Sequence, residues 1–134
     1  MFGNGNLDLG CFATGIVRDV SCVTKIPDDM LSEYAGPLMC GGITVWGPLY
    51  EHGARAGDRV GIVSVGGLGH LAIQFASKMG LEAVVFSASE SKRDEAMAFG
   101  ATEFHVIKEG QRVEGVTPVD FLLITSSILP DLSL

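Results

Sequence analysis

The chain is 134 residues long and 47% hydrophobic, one domain's worth of sequence with enough apolar side chain to form a core. A net charge of −7 argues against a nucleic-acid or anionic-membrane partner, and no apolar run reaches the length of a membrane span. The opening Met1 to Asn6 lacks the basic and apolar pattern of a secretory leader, and Cys11, Cys22 and Cys40 lack close pairing, so reduced thiols and a cytoplasmic location are expected.

In chain order, residues 1 to 43 read as irregular and partly β. The runs Cys11 to Val17 and Cys22 to Ile26 are short strand candidates, and Pro27-Asp28-Asp29 starts a helical turn through Met30, Leu31 and Tyr34. From Gly42 helices and strands alternate. A helix is expected over Ile43 to His52, followed by a polar turn and an apolar strand from Val60 to Val63. The next helix starts near Leu68, carries Leu71, Ala72, Phe75, Ala76 and Met79 at helical spacing and stops at Gly80. Ala83 to Phe86 suits a buried parallel strand. A helix from Ser91 to Phe99 ended by Gly100, a strand at Glu103 to Ile107 and another at Asp120 to Ile124 complete the series. The fold class is therefore α/β, a partial Rossmann arrangement with a doubly wound parallel sheet of about four strands.

Ser64, Val65, Gly66, Gly67, Leu68 and Gly69 join the first α/β strand to its helix, where dinucleotide folds cradle a pyrophosphate. Glycine at 66 lets the backbone approach phosphate oxygens that a Cβ would block, and glycine at 69 lets helix and strand pack closely. The helix start turns unpaired N–H groups and its positive dipole end toward the same anion. Set on the strand end, the G-x-G-x-x-G frame falls on Ser64, Gly66 and Gly69, with serine for the first glycine. A second frame, Gly67, Gly69 and Ala72, starts deeper in the turn. Glycine for packing alone is the competing account of such a turn, and the βαβ context favours a nicotinamide dinucleotide.

About twenty residues on, at the end of the second strand, an NAD site usually holds the ribose 2′-hydroxyl with a carboxylate. Here the sequence is Ser87-Ala88-Ser89-Glu90-Ser91-Lys92-Arg93. A small hydroxyl with Lys92 and Arg93 in reach suits a 2′-phosphate, which favours NADP(H) over NAD(H). The missing acid also counts against an S-adenosylmethionine methyltransferase. In the plainer account Ser89 caps the next helix and Lys92 and Arg93 lie on its solvated face, and both accounts can hold together.

Ala35 to Val45, Gly57 to Gly61 and Gly66 to Ala76 together resemble one family, the zinc-dependent medium-chain alcohol dehydrogenases, in particular their NADP-dependent cinnamyl-alcohol-dehydrogenase-like branch. Lys25-Ile26-Pro27-Asp28 and Phe99-Gly100-Ala101-Thr102 fit the same family, so the resemblance covers nearly the whole chain. It implies that residues 1–43 are a remnant of the mostly-β catalytic (GroES-like) domain and that 44–134 are an incomplete NADP-binding Rossmann domain. By the same resemblance Cys40 is a ligand of a catalytic zinc, and a thiolate suits that borderline-soft ion. Judged alone, Cys40 reads as a small buried cysteine at a helix start. The resemblance further implies that Thr44 touches the nicotinamide end, that Ser64 to Gly69 form the pyrophosphate loop and that Leu68 packs on the nicotinamide. Ser87, Ala88, Ser89, Glu90, Ser91 and Lys92 would line the adenosine-ribose and 2′-phosphate pocket, and Thr125 and Ser126 the cofactor cleft.

The departures from the family pattern carry equal weight. Ser64 replaces a glycine, and Ala88 stands where several NADP-using relatives carry arginine. No Gly-His-Glu segment and no closely spaced four-cysteine lobe occur, so the other zinc ligands are missing. His52, His70 and His105 are scattered; His70 is expected beside the phosphate loop or packed on its helix. A complete Rossmann sheet has about six strands, so the chain reads as roughly the middle of a longer enzyme, a homodimer in full-length relatives. The implied parent activity is reversible hydride transfer between NADP(H) and a primary alcohol or aldehyde, assisted by zinc. The chain alone is expected not to catalyse it, because one zinc ligand cannot fix a tetrahedral site. A non-catalytic NADP(H)-binding module and a remnant without function are the alternatives.

Overall fold

Strands Arg59–Val63 (β1), Glu82–Ser87 (β2), Glu103–Val106 (β3) and Phe121–Ile124 (β4) form one parallel sheet in the order β3-β2-β1-β4. This is a computed structural model, and it describes residues 13–108 and 115–127. β1 lies against β2 from Arg59 opposite Glu82 to Val63 opposite Phe86, and against β4 from Val60 opposite Phe121 to Val63 opposite Ile124. The chain thus moves outward from β1 through β2 to β3, then returns to the other side of β1. In doubly wound sheets that reversal opens a crevice at the carboxyl ends of the strands, here between β1 and β4.

The sheet is apolar because helices cover it. Val60, Ile62, Ala83, Val84 and Val85 are fully buried, as expected of parallel strands packed on both faces. Helix α1 (Ser32–Pro37) runs through a π turn (Leu38–Gly42) into α2 (Ile43–Glu51), which buries Val45 and Leu49 in the core. Helix α3 (Gly69–Lys78) buries Ala72, Ile73 and Ala76 in the same core. A 3₁₀ turn (Glu90–Lys92) precedes α4 (Arg93–Ala98), and Phe104 of β3 closes the cluster. Gly80 (φ +79°) and Gly100 (φ +103°) end α3 and α4 in the left-handed conformation that glycine adopts without a Cβ clash.

At the amino ends of the strands the charged groups pair, although the buried Arg59 Nε finds no partner among the described residues. Arg59 reaches Glu82 with one guanidinium nitrogen and Glu103 with another, each at 2.7 Å, and its backbone N–H donates to Asp120 Oδ2 at 2.8 Å. His105 Nε2 lies 2.9 Å from the second oxygen of Glu103. The His105 hydrogen bond first, and then Arg59, hold the Glu103 carboxyl below its ordinary value.

The α/β elements match the sequence expectation to within two residues, apart from the helix expected from Ser91, which opens as a 3₁₀ turn with the α-helix proper from Arg93. The amino-terminal part differs. Neither strand expected before residue 27 is present: 13–17 and 23–26 are irregular, and Val20–Cys22 is a 3₁₀ turn held by the Asp19 carboxylate. Cys11 and Phe12 lie outside the described residues. Ile16, Val17 and Val23 are exposed. A β-conformation is stable only when a neighbouring strand takes up its N–H and C=O groups, and no strand among the described residues lies beside them. Among the described residues, no helix is long and apolar enough to cross a membrane.

Candidate functional site

The turn from β1 to α3 sits over the crevice. β1 ends at Val63, and the Ser64 N–H continues its ladder by donating to Phe86 O at 2.7 Å. The chain then turns sharply. Ser64 has φ +82°, the only non-glycine among the described residues in the left-handed region. Val65 drops into the core, Gly66 and Gly67 are exposed, and α3 begins at Gly69.

The glycines of this turn fall into two classes. At Gly69 a Cβ would overlap the Ser64 carbonyl oxygen, lie 2.9 Å from its carbon and 3.1 Å from Thr125 Oγ1. Close packing of helix on strand therefore requires glycine there. At Gly66 and Gly67 a Cβ would meet no atom of the described residues within 4 Å, and neither has a positive φ. Packing gives no reason for glycine at these two positions, whereas a ligand lying against the backbone does. The N–H groups of Gly66, Gly67 and Leu68 find no partner among the described residues. They are donors for an anion at the start of a ten-residue helix.

The wall opposite comes from the π turn. Such turns are rare and cluster at functional sites. Gly41 brings its backbone close to Leu68 and Leu71, where a Cβ would stand 3.5 and 3.4 Å from their side-chain methyls. The cleft between, about 630 Å³, is lined by Pro37, Cys40, Gly41, Gly67, Leu68, His70, Leu71 and Thr125. Cys40, Gly67, Leu68 and Thr125, all singled out from the sequence, thus meet in one cavity. Pro37, Gly41 and Leu71 were not singled out; they act as wall, and bland apolar residues give no chemical signal. His70 sits beside the loop with Nδ1 3.1 Å from Gly66 O.

Thr125 follows β4 directly. Its hydroxyl donates to Val63 O at 2.7 Å and to Ser64 O at 3.3 Å, and its N–H donates to Val63 O at 3.1 Å. Ser126 is half-buried beside it. Thr44 is exposed on α2, one turn beyond Cys40, and does not line the cleft. Cys40 is a free, exposed thiol rather than the small buried cysteine of the sequence alternative. Among the described residues no three His, Cys, Asp or Glu side chains come together as a metal site, so the described donor set does not fit a tetrahedral zinc.

The end of β2 lies beside Ser64. Ser87 is buried, and its Oγ accepts the Ser89 N–H at 3.3 Å. Ser89 Oγ in turn accepts the Ser91 N–H at 3.3 Å, capping the 3₁₀ turn. Ala88 is exposed. Lys92 pairs with Glu95 at 2.8 Å on the half-exposed face. Arg93 is turned away: it pairs with Glu90, donates to Phe104 O at 3.2 Å and lies over the Phe104 ring. Its hydrogen bond lowers the Glu90 carboxyl. Each of the two cations is thus ion-paired, and Arg93 alone is also tied to β3 through Phe104.

No protein-family model matches the chain. The chain is 36% identical over 98% of its length to cinnamyl alcohol dehydrogenase 8 of Arabidopsis thaliana, covering 38% of that protein. It is 45% identical over 75% of its length to a probable formaldehyde dehydrogenase of Bacillus subtilis, covering 29% of it. Among solved structures, the CAD of Helicobacter pylori complexed with NADP(H) superimposes with a TM-score of 0.65 at 31% identity, over 75% of this chain and 28% of that one. The chain is similar to a part of the cinnamyl-alcohol-dehydrogenase-type medium-chain alcohol dehydrogenases. Another solved structure, the acetophenone reductase of Geotrichum candidum in complex with NAD, superimposes with a TM-score of 0.67 at 25% identity, over 78% of this chain and 30% of that one. The chain spans about a third of the length of the curated alcohol dehydrogenases it matches, 38% and 29% in the two named here.

Proposed function

We propose that this chain forms the dinucleotide-binding part of an NADP(H)-dependent oxidoreductase that interconverts primary alcohols and aldehydes. The observation that carries the reading is the Gly66–Gly67 cradle, whose glycines no contact among the described residues requires and whose N–H groups stand without partners among them. On this reading residues 44–134 belong to the cofactor domain and residues 1–43 to the end of the catalytic domain. The N–H groups of Gly66, Gly67 and Leu68 take the pyrophosphate. Leu68, Leu71 and Pro37 keep water from the nicotinamide end, and Ser87 to Lys92 take the adenosine ribose with Lys92 on the 2′-phosphate. When bound, the nicotinamide supplies hydride chemistry that no side chain can. Free thiols at Cys22 and Cys40 support a reducing, cytoplasmic setting.

Cys40 and His70 are the metal-ligating side chains that line the cleft, and among the described residues no third such group joins them. We expect this chain to bind NADPH without turning over an alcohol, because one thiolate does not fix zinc. The test is a thermal melt of the chain with NADPH, NADH or neither. A ligand held only by the folded state at one hundred times Kd adds about 2.7 kcal/mol, so NADPH is expected to raise the midpoint by several degrees and NADH by less. No shift with either would sink the reading, and zinc-dependent alcohol oxidation would overturn the expected inactivity. Ser87→Asp keeps an acceptor for the Ser89 N–H and adds charge against a 2′-phosphate, so it should move the preference toward NADH; an unchanged preference would misplace that pocket.

A further inference from the structure

Ser64 is held in a conformation it would not choose. A non-glycine residue in the left-handed region is strained by its Cβ, and such a residue persists only where its surroundings over-determine it. Here they do so from three sides. β2 takes the Ser64 N–H through Phe86 O at 2.7 Å. α3 presses on the Ser64 carbonyl at Gly69, where no Cβ would fit. From β4, the Thr125 hydroxyl reaches the Val63 and Ser64 carbonyl oxygens at 2.7 and 3.3 Å. Ser64 is the residue at which β1, β2, β4 and α3 all meet, and the peptides that follow it are those of the phosphate cradle.

We infer that Thr125 is a positioning residue: its hydroxyl clamps the carbonyls of Val63 and Ser64, holds Ser64 left-handed and so keeps the Gly66–Leu68 N–H groups aimed at the anion. The serine makes the clamp necessary. With glycine at 64 the left-handed state is reached at little cost, and the clamp becomes dispensable. The two positions are sixty-one residues apart in sequence, so a dependence between them is a tertiary property of this loop. The inference rests on the dinucleotide reading for its ligand and on the loop geometry alone for the clamp.

The experiment is a double-mutant cycle on the full chain, with Thr125→Val and Ser64→Gly alone and together. NADPH affinity is read by titration calorimetry and the thermal midpoint is read without ligand. Losing the clamp leaves only a fraction of molecules with a competent loop, and apparent affinity falls by that fraction. With serine at 64, Thr125→Val should weaken NADPH roughly tenfold, the size of effect that contacting residues show. With glycine at 64 it should weaken NADPH by less than about twofold, the rest being rescued. Thr125→Ser, which keeps the donor, should restore most of the loss in the serine background. An equal loss in both backgrounds, or none in either, would overturn the clamp. If the unaltered chain binds no NADPH, the dinucleotide reading falls, and the midpoints judge the clamp by themselves. A drop on Thr125→Val that shrinks with glycine at 64 supports it, and additive drops overturn it.

Discussion

The two ends of the same four-stranded sheet are built on opposite principles. At the amino ends, Arg59 of β1 meets Glu82 of β2 and Glu103 of β3, His105 meets Glu103, and Asp120 ahead of β4 takes the Arg59 N–H. The charged groups there are paired with one another within the protein. At the carboxyl ends, the loop from Ser64 to Leu68 carries no charged side chain, and the N–H groups of Gly66, Gly67 and Leu68 find no partner among the described residues. A strongly acidic chain can thus offer an anion site, because the attraction comes from backbone dipoles at short range and needs no net charge. Paired charges mark the end that holds the sheet together, although the buried Arg59 Nε finds no partner among the described residues. Donors without partners mark the end that meets a ligand.

The comparison breaks most sharply at Gly69, where both ends' concerns coincide. Gly69→Ala drives a methyl into the Ser64 carbonyl, with backbone on one side and Thr125 on the other. Neither neighbour is a flexible side-chain tip, so the helix start must move off the strand. Overpacking of this kind costs about 1–3 kcal/mol and more where backbone is displaced; we expect the upper end, a clear drop in thermal midpoint together with loss of NADPH binding. A variant that melts like the parent would mean that α3 does not rest on Ser64 as described.

Arg59→Leu is expected to have the next largest effect, confined to the structural end and dependent on pH. Glu103 sits below its ordinary value of 4.5, first through His105 and then through Arg59. A carboxyl depressed in the folded state stabilises fully above its unfolded value, and that contribution is lost as pH falls through the lowered folded one. The unaltered chain should therefore lose stability as pH drops below about 4.5. Arg59→Leu removes one of the two causes, so its midpoint should lie below the parent's at pH 7 and approach it as Glu103 protonates. Melts between pH 7 and pH 3 check this, and a gap that stays constant across the range would show that Arg59 acts by packing instead. NADPH affinity should change little in this variant, since the ion network lies at the far end of the sheet.

What could be read from the sequence follows from how local each signal is. The β1–α3–β2 unit was legible because its signals lie within the segment: an apolar run, glycines at the turn, helical spacing from Leu71 to Met79 and a stop at Gly80. The amino-terminal strands were misread for the converse reason. Val17 and Val23 have strand-forming side chains, but strand formation depends on a neighbour that local sequence does not reveal. The site was legible in its parts and not in its couplings. Ser64 stood out as a missing glycine, yet nothing local tied it to Thr125, and Lys92 and Arg93 looked equivalent until the fold turned one toward the Phe104 ring. The Arg59 network left a faint trace, since Arg59, Glu82 and Glu103 each open a strand. Arg59 and Glu82 stand opposite each other on adjacent strands, whereas Glu103 lies opposite Val84 and reaches Arg59 across β2, which becomes legible only once the strand order is known.

The smallest effect on stability, and the most discriminating on function, is expected at the exposed glycines of the binding end. Gly67→Ala adds a methyl that meets no atom of the described residues within 4 Å, at a φ open to any residue. Replacing glycine at a compatible position removes freedom from the unfolded chain and stabilises by roughly 0.4–1 kcal/mol. The midpoint without ligand should therefore hold or rise slightly, unlike that of Gly69→Ala two residues on. The same methyl projects from the backbone that is to approach the pyrophosphate, so NADPH affinity should fall at least tenfold, about 1.4 kcal/mol. Stability kept and binding lost would separate the glycine that serves the fold from the glycine that serves the ligand. Stability kept and binding kept would mean that the anion does not lie against Gly67, and that the donors of this loop face solvent for another reason.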